Sequence, residues 1–244
     1  MLHLLVYPAS NGYNSYMDRD TGPIGGIKSP MQPTRELYHV TILFDIVAIV
    51  LSMFINVWFT VGVIIYILAS KAYSYRGIRL KRYPVAGYIT VIVCQGALIF
   101  FLVYNAVQHT VNELPYLQMT AASLLIGGFY PLTQVYQHEA DKKDGVNTIS
   151  SLLGYKGTFI FTSIVYLLAF AVLFRTYQLQ DKPENFLILA VGLSPVLVYF
   201  FYWAIQVWKD RSAADYTHTM RMNVLASLCC NIAFIIILSR RFFE

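Results

Sequence analysis

The sequence predicts an all-α fold, a polytopic transmembrane helical bundle of about seven spans. Apolar residues make up 57% of the 244-residue chain and charged residues only 13%, with a mean hydropathy of +0.54. A water-soluble domain of this length needs far more charge on its surface. The apolar residues also gather into runs of roughly 20 residues, the length that a helix needs to cross a bilayer core of about 30 Å.

Seven apolar runs are long enough to be spans. They are residues 37–54, 57–73, 85–108, 116–136, 157–175, 185–208 and 222–239. Only Phe54-Ile55-Asn56-Val57 separates the first two, and we interpret it as a tight turn; one long tilted helix is the alternative. Residues 1–10 are apolar but too short to span, and they lack the features of a signal peptide. They are interpreted as the last turns of a helix whose beginning is absent, or as a short interfacial helix.

The basic residues support seven spans and orient them. Seven spans place residues 11–36, 74–84, 137–156 and 209–221 on one side of the membrane. Of the 18 Lys and Arg residues, only Arg175, Lys182, Arg240 and Arg241 lie on the other side. Because Lys and Arg collect in cytoplasmic loops, we expect a multi-pass integral membrane protein with these loops in the cytoplasm. A bacterial inner membrane is the expected location, although the charge asymmetry suits an organelle equally well.

Composition also argues against several other classes of function. The net charge of +5 does not indicate a nucleic-acid partner, because the basic residues lie in short loops between apolar runs. Cys94, Cys229 and Cys230 all lie inside apolar runs, so neither a disulfide framework nor a cysteine zinc site is expected.

The first polar segment that offers a binding site follows residues 1–10. It contains Asn14, Asp18 and Asp20. If the helix continues to about Asp18, Asn14 and Asp18 share a face because they are four residues apart. The glycines and the proline of residues 22–26 end the helix and let the backbone approach a ligand.

The second polar segment follows the fourth apolar run, at residues 130–148. If it is helical, Gln134, Gln137 and Asp141 fall on one stripe, with Lys142 and Asp144 close by. Glu139 lies about 160° from Asp141 around a helix and is a less natural partner.

The third segment, residues 71–84, is basic and contains no acid; Tyr75, Arg79, Lys81 and Arg82 lie in it. Two acidic clusters and a basic segment on one membrane side suit a diphosphate bound with Mg²⁺. This ion takes one or two carboxylates plus substrate phosphates, and Lys and Arg contact the remaining phosphate oxygens. The alternatives are solvated loops and contacts to lipid headgroups.

The order of these three segments resembles the UbiA-type intramembrane prenyltransferases, over nearly the whole chain. The first motif of that family reads NDxxDxxxD. Here Asn14 and Asp18 match it, Ser15 and Gly22 replace two aspartates, and Asp20 offers a substitute ligand.

The second family motif reads DxxxD, followed by a glycine and a threonine. Gln137, Asp141, Gly145 and Thr148 stand at these positions, so the first aspartate is a glutamine here. The stretch from Tyr75 to Lys81-Arg82 resembles the basic segment whose Tyr and Lys contact the diphosphate in the family.

The resemblance implies the function and the site. Residues 1–244 are expected to form a single UbiA-like domain, family helices three to nine with the tail of helix two, truncated at its N-terminus. The implied activity is Mg²⁺-dependent transfer of a prenyl group from a prenyl diphosphate donor to a lipophilic or aromatic acceptor among membrane lipids. Asp18 and Asp141 are the expected catalytic residues, and Asp18, Asp20, Asp141 and Asp144 the expected Mg²⁺ ligands. The expected diphosphate contacts are Asn14, Tyr75, Arg79, Lys81, Arg82, Gln134, Gln137 and Lys142.

Two other functions stay open on the sequence alone. The missing aspartates suit a non-catalytic UbiA-like lipid-binding protein. Alternatively, a small-solute transporter would have Asp45, Gln95 and Asn231 along its path. In a prenyltransferase, the acceptor is expected near Gln95, Asn105 or Gln118, because polar groups inside spans usually face the bundle interior.

Overall fold

The structure, a computed structural model, describes residues 1–108 and 115–240, and these residues are predominantly helical. The α-helices are α1 Tyr7–Asp18, α2 Arg35–Met53, α3 Val57–Ser74, α4 Pro84–Val91, α5 Ile99–Gln108, α6 Tyr116–Phe129, α7 His138–Lys143, α8 Ile149–Leu179, α9 Pro183–Gly192, α10 Ser194–Lys209 and α11 Tyr216–Arg240. π-helical turns precede α1 at Leu2–Val6 and join α4 to α5 at Ile92–Leu98. 3₁₀ segments lie at Leu80–Arg82, Tyr130–Gln137 and Arg211–Ala213. Arg241, which the sequence assigned to the side opposite the polar loops, lies outside the described residues.

The predicted transmembrane helical fold is confirmed. Five helical stretches of the described chain are long and apolar enough to cross a membrane: Arg35–Met53, Val57–Ser74, Pro84–Gln108, Ile149–Leu179 and Tyr216–Arg240. The pair α9 and α10, bent by 42°, has the length and composition of a sixth if the two helices together form one broken span. Apolar side chains are exposed at helical spacing on the outer faces, as expected against lipid; examples are Leu43, Ile46 and Val50 in α2 and Leu228, Ile232 and Ile235 in α11.

One predicted span, residues 116–136, takes a different form. Its α-helix α6 has only 14 residues and continues as the 3₁₀ segment Tyr130–Gln137. Pro131 has no N–H to donate to the α-helical ladder, which favours this change. At rises of about 1.5 and 2.0 Å per residue, the two parts extend roughly 21 and 16 Å. The 3₁₀ part carries the second polar segment at the end of the bundle.

The turn between α2 and α3 has the predicted form of a tight connection. Asn56 caps α3, since its Oδ1 accepts a hydrogen bond of 2.9 Å from the Phe59 N–H. Inside the bundle the two helices are joined by an ion pair between Asp45 Oδ2 and Lys71 Nζ, 2.7 Å apart and mostly buried. Asp45 therefore has the role of pairing with a neighbouring helix.

The N-terminal helix belongs to the bundle. Val6 and Ala9 are each 1% exposed, and Tyr13 is also buried. The Ser10 and Ser70 hydroxyl groups are hydrogen-bonded at 2.6 Å, which joins α1 to α3. These contacts indicate that residues 1–10 belong to a helix packed in the bundle and not to a short interfacial helix.

The π turn Ile92–Leu98 crosses α6 at very short range. Ser123 Oγ accepts a hydrogen bond from the Ala97 N–H (3.0 Å) and donates one to the Ile92 carbonyl (2.9 Å). The side chain of another helix thus satisfies backbone groups that the π turn leaves out of the helical ladder. A Cβ at Gly96 would lie 2.4 Å from Ser123 Cα, so the crossing requires glycine.

The Gly96→Ala variant is expected to lose about 1–3 kcal/mol of stability, because the added methyl group would force two backbones apart. Thermal unfolding in detergent measures this effect. Gly157→Ala is the matched control, since its Cβ would meet only Leu153 Cβ of its own helix at 3.3 Å. An equal Tm for Gly96→Ala and wild type would contradict the close crossing.

Candidate active site

The three polar segments meet at one cavity of about 770 Å³. α1, α3, the π turn Ile92–Leu98 and α6 form its inner walls, and the segments around them form its mouth. Eight of the residues predicted from the sequence line it: Asn14, Asp18, Asp20, Lys81, Gln134, Gln137, Asp141 and Asp144. The two acidic segments therefore lie close together in the structure, as the sequence predicts.

The end of α1 positions the first acidic group. Asn14 and Asp18 both line the cavity from consecutive turns, and Asn14 Oδ1 accepts a 2.7 Å hydrogen bond from Ser74 Oγ of α3. The helix ends at Asp18 because Arg19 adopts a left-handed conformation, φ 54°, with its N–H bonded to the Ser15 carbonyl. The chain then turns so that Asp20 also lines the cavity.

The basic segment bridges the two acidic segments. Lys81 Nζ donates to Asp18 Oδ2, and Arg79 Nη2 donates to Asp144 Oδ2. Arg79 also lies 3.8 Å from Asp18 Oδ1 and donates to the Asp144 carbonyl at 3.2 Å. Arg76 Nη1 is 3.7 Å from Asp144 Oδ1, and its Nε donates to the Met17 carbonyl at 2.8 Å. Asp18 and Asp144 are thus neutralised by the chain's own cations.

The buried Oδ2 of Asp141 has no hydrogen-bond partner in the described structure. Asp18 Oδ1 also lacks a hydrogen bond, but it lies 3.8 Å from Arg79 Nη2. Burial raises its pKa to about 7; Lys81 opposes the rise, and Asp20, Asp18 and Asp144 add to it. The pKa of Asp20 is also raised, first by burial and then by Asp18. Carboxylates that repel one another in a partly buried site are typical of functional sites.

The donor set fits Mg²⁺ bound together with a diphosphate and not an all-protein metal site. Within residues 1–108 and 115–240, no three His, Cys, Asp or Glu side chains form a group that could hold a metal ion alone. Mg²⁺ commonly takes one or two carboxylates and completes its shell with phosphate oxygens and water. Asp18 and Asp141 offer one carboxylate from each acidic segment, and Asp141 Oδ2 lacks another partner.

Aromatic rings form much of the wall between the mouth and the inner end. They are Tyr66, Tyr73, Phe129, Tyr130 and Tyr136. The hydroxyl groups of Tyr73 and Tyr130 are hydrogen-bonded to each other, so α3 is joined to the 3₁₀ segment. The cavity thus combines a charged mouth with an aromatic interior.

Four residues predicted to contact the diphosphate do not line the cavity. Tyr75 and Arg82 are exposed, and the Arg82 guanidinium lies 5.3 Å from the Tyr83 ring centre. Lys142 lines a second, smaller cavity beside His138. Arg79 is buried and contacts Asp18 and Asp144 from behind the lining.

Sequence reasoning missed Tyr73 and Lys143, which both line the cavity. A signal for Tyr73 exists, since Tyr66, Ser70 and Tyr73 recur at four- and three-residue spacing on one face of an otherwise apolar span. Lys143 follows the lining residue Ala140 by three positions, which extends the stripe predicted for the second segment.

Within the described residues, the three intramembrane side chains proposed for a transporter do not lie along one path. Of the three residues proposed for a transporter, only Gln95 lines the cavity. Asp45 pairs with Lys71, and Asn231 donates to the Ser227 carbonyl of its own helix. Among the positions expected near an acceptor, Asn105 is buried at 2% exposure, and neither it nor Gln118 lines the cavity.

Solved structures of similar fold support this arrangement of helices. The apo structure of a UbiA homolog from Aeropyrum pernix K1 matches with a TM-score of 0.69 and 15% identity, over 96% of this chain and 86% of that one. A UbiA homolog from Archaeoglobus fulgidus bound to DMAPP and Mg²⁺ matches with a TM-score of 0.64 and 19% identity, over 96% and 86%. A structure of digeranylgeranylglyceryl phosphate synthase matches with a TM-score of 0.60 and 19% identity, over 96% and 84%.

The sequence itself identifies the family. A comparison with curated proteins gave no match. The sequence model described as "UbiA prenyltransferase family" matches residues 1–225, which is most of the chain. The chain is therefore a member of the UbiA prenyltransferase family.

Proposed function

We propose that this chain transfers a prenyl group from a prenyl diphosphate to a lipophilic or aromatic acceptor within the membrane, in the presence of Mg²⁺. The observation that carries the proposal is the meeting of Asp18, Asp141 and Lys81 at the mouth of an aromatic cavity. Family homologues have been solved with DMAPP or GPP and Mg²⁺. We place the charged mouth on the cytoplasmic side, where the water-soluble end of a donor is available.

The mouth would hold the diphosphate. Asp18 and Asp141 are the proposed Mg²⁺ ligands, with Asp20 and Asp144 close to them, and the bound ion would neutralise negative charge on the diphosphate. Lys81 would contact a phosphate oxygen directly. Asn14, Gln134 and Gln137 carry amide groups that would donate hydrogen bonds to the remaining oxygens. Arg79 would act as a positioning residue, since it holds Asp18 and Asp144 without lining the cavity.

The interior would favour ionisation of the donor. When the C–O bond breaks, the diphosphate leaves with the electron pair and the allylic carbon becomes positive. Lys81 and Lys143 would stabilise the growing negative charge at the mouth. The faces of Tyr73, Phe129 and Tyr130 would stabilise the cation and keep water away from it. The acceptor would have to reach the allylic carbon beside the diphosphate; of the intramembrane positions expected near it, Gln95 lines the cavity.

Binding of geranyl diphosphate to the purified protein in detergent, with Mg²⁺ or with EDTA, tests the proposal. We expect binding with Mg²⁺ that EDTA abolishes, and binding about tenfold weaker in Asp18→Asn, a loss of about 1.4 kcal/mol. Glu139→Gln is the matched control, because Glu139 is exposed and does not line the cavity. Absence of binding by the folded wild type would overturn the proposal.

A non-catalytic lipid-binding role is the second candidate, and one observation favours it. Asp18 and Asp144 are already paired with Lys81 and Arg79, which leaves fewer free carboxylates for Mg²⁺. Release of inorganic diphosphate from bound geranyl diphosphate, measured with membrane lipid extract as the source of acceptor, separates the two functions. Binding without release of diphosphate would favour the non-catalytic role.

A further inference from the structure

Lys156 lies on the outer, apolar face of α8. The helical backbone is interrupted at Gly154, where φ is 68°, so Lys156 stands in the first turn of the regular part of this helix. Ile160, Ile164 and Leu168 follow it at intervals of four residues, and each is more than half exposed. Because residues four apart share a helix face, Lys156 ends a row of side chains that would face lipid.

The outer face of α10 reaches the same end of the bundle at Trp208. Phe201, Ile205 and Trp208 are spaced by four and three residues, and they are 56%, 54% and 41% exposed. The Trp208 ring centre lies 6.1 Å from that of the buried Phe159, so α8 and α10 are neighbours here. Lys156 Nζ is 5.9 Å from the Trp208 ring centre. The two apolar rows therefore meet at a lysine and an indole ring.

The positive charge at this place has no acidic partner in the part of the chain that the structure describes. No carboxylate lies within 4.0 Å of Lys156 Nζ or of the neighbouring, exposed Lys209. Asp210 instead accepts hydrogen bonds from the N–H and the Oγ of Ser212, at 2.9 and 2.6 Å. A Cβ at Gly157 would meet no atom of another helix within 4 Å, so the surface beside Lys156 is open.

The level of Lys156 along α8 is that of the lipid headgroups. Lys156 and Arg175, the two charged residues of α8, stand 19 residues apart. This separation corresponds to about 28 Å at 1.5 Å per residue, close to the bilayer core thickness of about 30 Å. A lysine near the end of a spanning helix keeps its ammonium group among the headgroups, and tryptophan rings are enriched at the same level.

We propose that Lys156 and Trp208 form a site for the headgroup of an anionic phospholipid, at the corner between α8 and α10. The Lys156 ammonium group contacts the phosphate, the Trp208 ring packs beside it, and the two apolar rows contact the acyl chains. A net-neutral phospholipid carries a cation of its own, which Lys156 and Lys209 would repel. Basic sites between spanning helices on one side of a membrane are suited to anionic headgroups. The site is separate from the cavity and does not depend on prenyl transfer.

Fluorescence quenching by brominated lipids tests the proposal, because Trp208 is part of the site. The chain has three tryptophans; Trp203 is 0% exposed, and Trp58 begins α3 at the opposite end of the bundle. In Trp58→Phe protein reconstituted in phosphatidylcholine, quenching therefore reports the lipid beside Trp208. We expect brominated phosphatidylglycerol to bind there about fivefold more strongly than brominated phosphatidylcholine, which corresponds to about 1 kcal/mol.

Lys156→Gln should reduce this preference to less than twofold, and Lys156→Arg should retain it. The side chain is exposed, so neither change should disturb the fold. Arg175→Gln is the matched control, since it removes an exposed cation from the other end of α8 and should leave the preference unchanged. Raising the salt concentration should weaken the preference of the wild type, because the contact is electrostatic.

Three results would overturn the proposal. Equal quenching by the two lipids in the wild type would mean that ordinary boundary lipid covers Trp208. A preference that survives Lys156→Gln, or that Arg175→Gln abolishes equally, would mean that the charge of the whole protein attracts the lipid. If neither lipid quenches Trp208, protein covers this face, as in contact with a second copy of the chain. None of these results would affect the proposed prenyl transfer.

Discussion

Lys81→Met is expected to weaken Mg²⁺-dependent binding of geranyl diphosphate by about 10-fold to 150-fold. Lys81 lines the cavity, so the variant would lose a direct phosphate contact. A hydrogen bond to a charged group contributes about 1.5–3 kcal/mol. In the ligand-free protein Lys81 is paired with Asp18, and the two side chains are only 11% and 5% exposed.

Removal of Lys81 would act on both acidic segments. Asp18 would keep Arg79, 3.8 Å away, and would be freer to bind Mg²⁺. Lys81 also opposes the rise in the pKa of Asp141, so its removal would raise that pKa further and favour the protonated form. A protonated Asp141 is a poor Mg²⁺ ligand.

Lys209→Met is the matched control for this variant. Lys209 is an exposed lysine at the end of α10 and does not line the cavity, so the same change of side chain should leave the affinity within twofold of wild type. Circular dichroism of both variants in detergent checks the helical fold. A loss of less than threefold in folded Lys81→Met would show that Lys81 is not part of the diphosphate site.

The residues that the sequence predicted well are those whose placement follows from helix periodicity. Asn14 and Asp18 lie four residues apart on α1, and Gln137 and Asp141 are also four apart. Each pair lines the cavity. The first pair does so because residues with this spacing project from one face of α1, whereas the second lies across the junction between the 3₁₀ segment, which ends at Gln137, and α7. The order of the two acidic segments and the basic segment carried the resemblance to the family, which the match over residues 1–225 confirms.

The side chains that the sequence misplaced lie where the chain leaves a helix. α3 ends at Ser74, so Tyr73 stays on the lining face, whereas Tyr75 begins the loop and is exposed. Arg79 adopts a left-handed conformation, φ 53°, which redirects the chain before Lys81 and Arg82. No periodic pattern predicts which of these loop residues faces the cavity, because their directions depend on individual backbone angles.

Local sequence patterns also cannot predict helix distortions that are caused by contacts between helices. The π turn Ile92–Leu98 depends on a hydroxyl group from α6, which inserts between backbone groups of another helix. The sequence of residues 85–108 is apolar throughout and predicts a regular span. Nothing in these residues indicates that Ser123 of another helix contacts their backbone. Cys94 and Gln95 line the cavity from within this turn, so their placement is a tertiary effect.

Binding of geranyl diphosphate with Mg²⁺ is expected to weaken about tenfold per pH unit below pH 7 in the wild type. The pKa of Asp141 is raised to about 7, first by burial. A metal ligand must be deprotonated, so below this pKa each binding event releases one proton from Asp141. Above about pH 8 the carboxylate is already ionised, and the affinity should no longer depend on this group.

Stability of the ligand-free protein should change with pH in the opposite direction. A carboxyl group whose pKa is higher in the folded than in the unfolded state binds more protons when folded between about pH 4 and pH 7. In that range the contribution of Asp141 to stability falls as pH rises, and above pH 7 its full unfavourable effect is present. The pH range that improves binding therefore destabilises the unoccupied site, and a bound ligand would restore the lost stability.

The Asp141→Asn variant isolates this residue from other titrating groups. The diphosphate itself takes up protons near pH 6, and that effect is common to both proteins when they are measured in the same buffers. We expect the wild-type affinity, relative to the variant, to fall about 30-fold between pH 8 and pH 5.5, as one proton competes below pH 7. Parallel pH profiles for the two proteins would mean that Asp141 is not ionised on binding, and would remove it from the proposed Mg²⁺ ligands. If the affinity of the wild type falls below pH 7 and that of Asp141→Asn does not, Asp141 is the carboxylate that binds the metal. This residue is the one aspartate that remains of the second family motif.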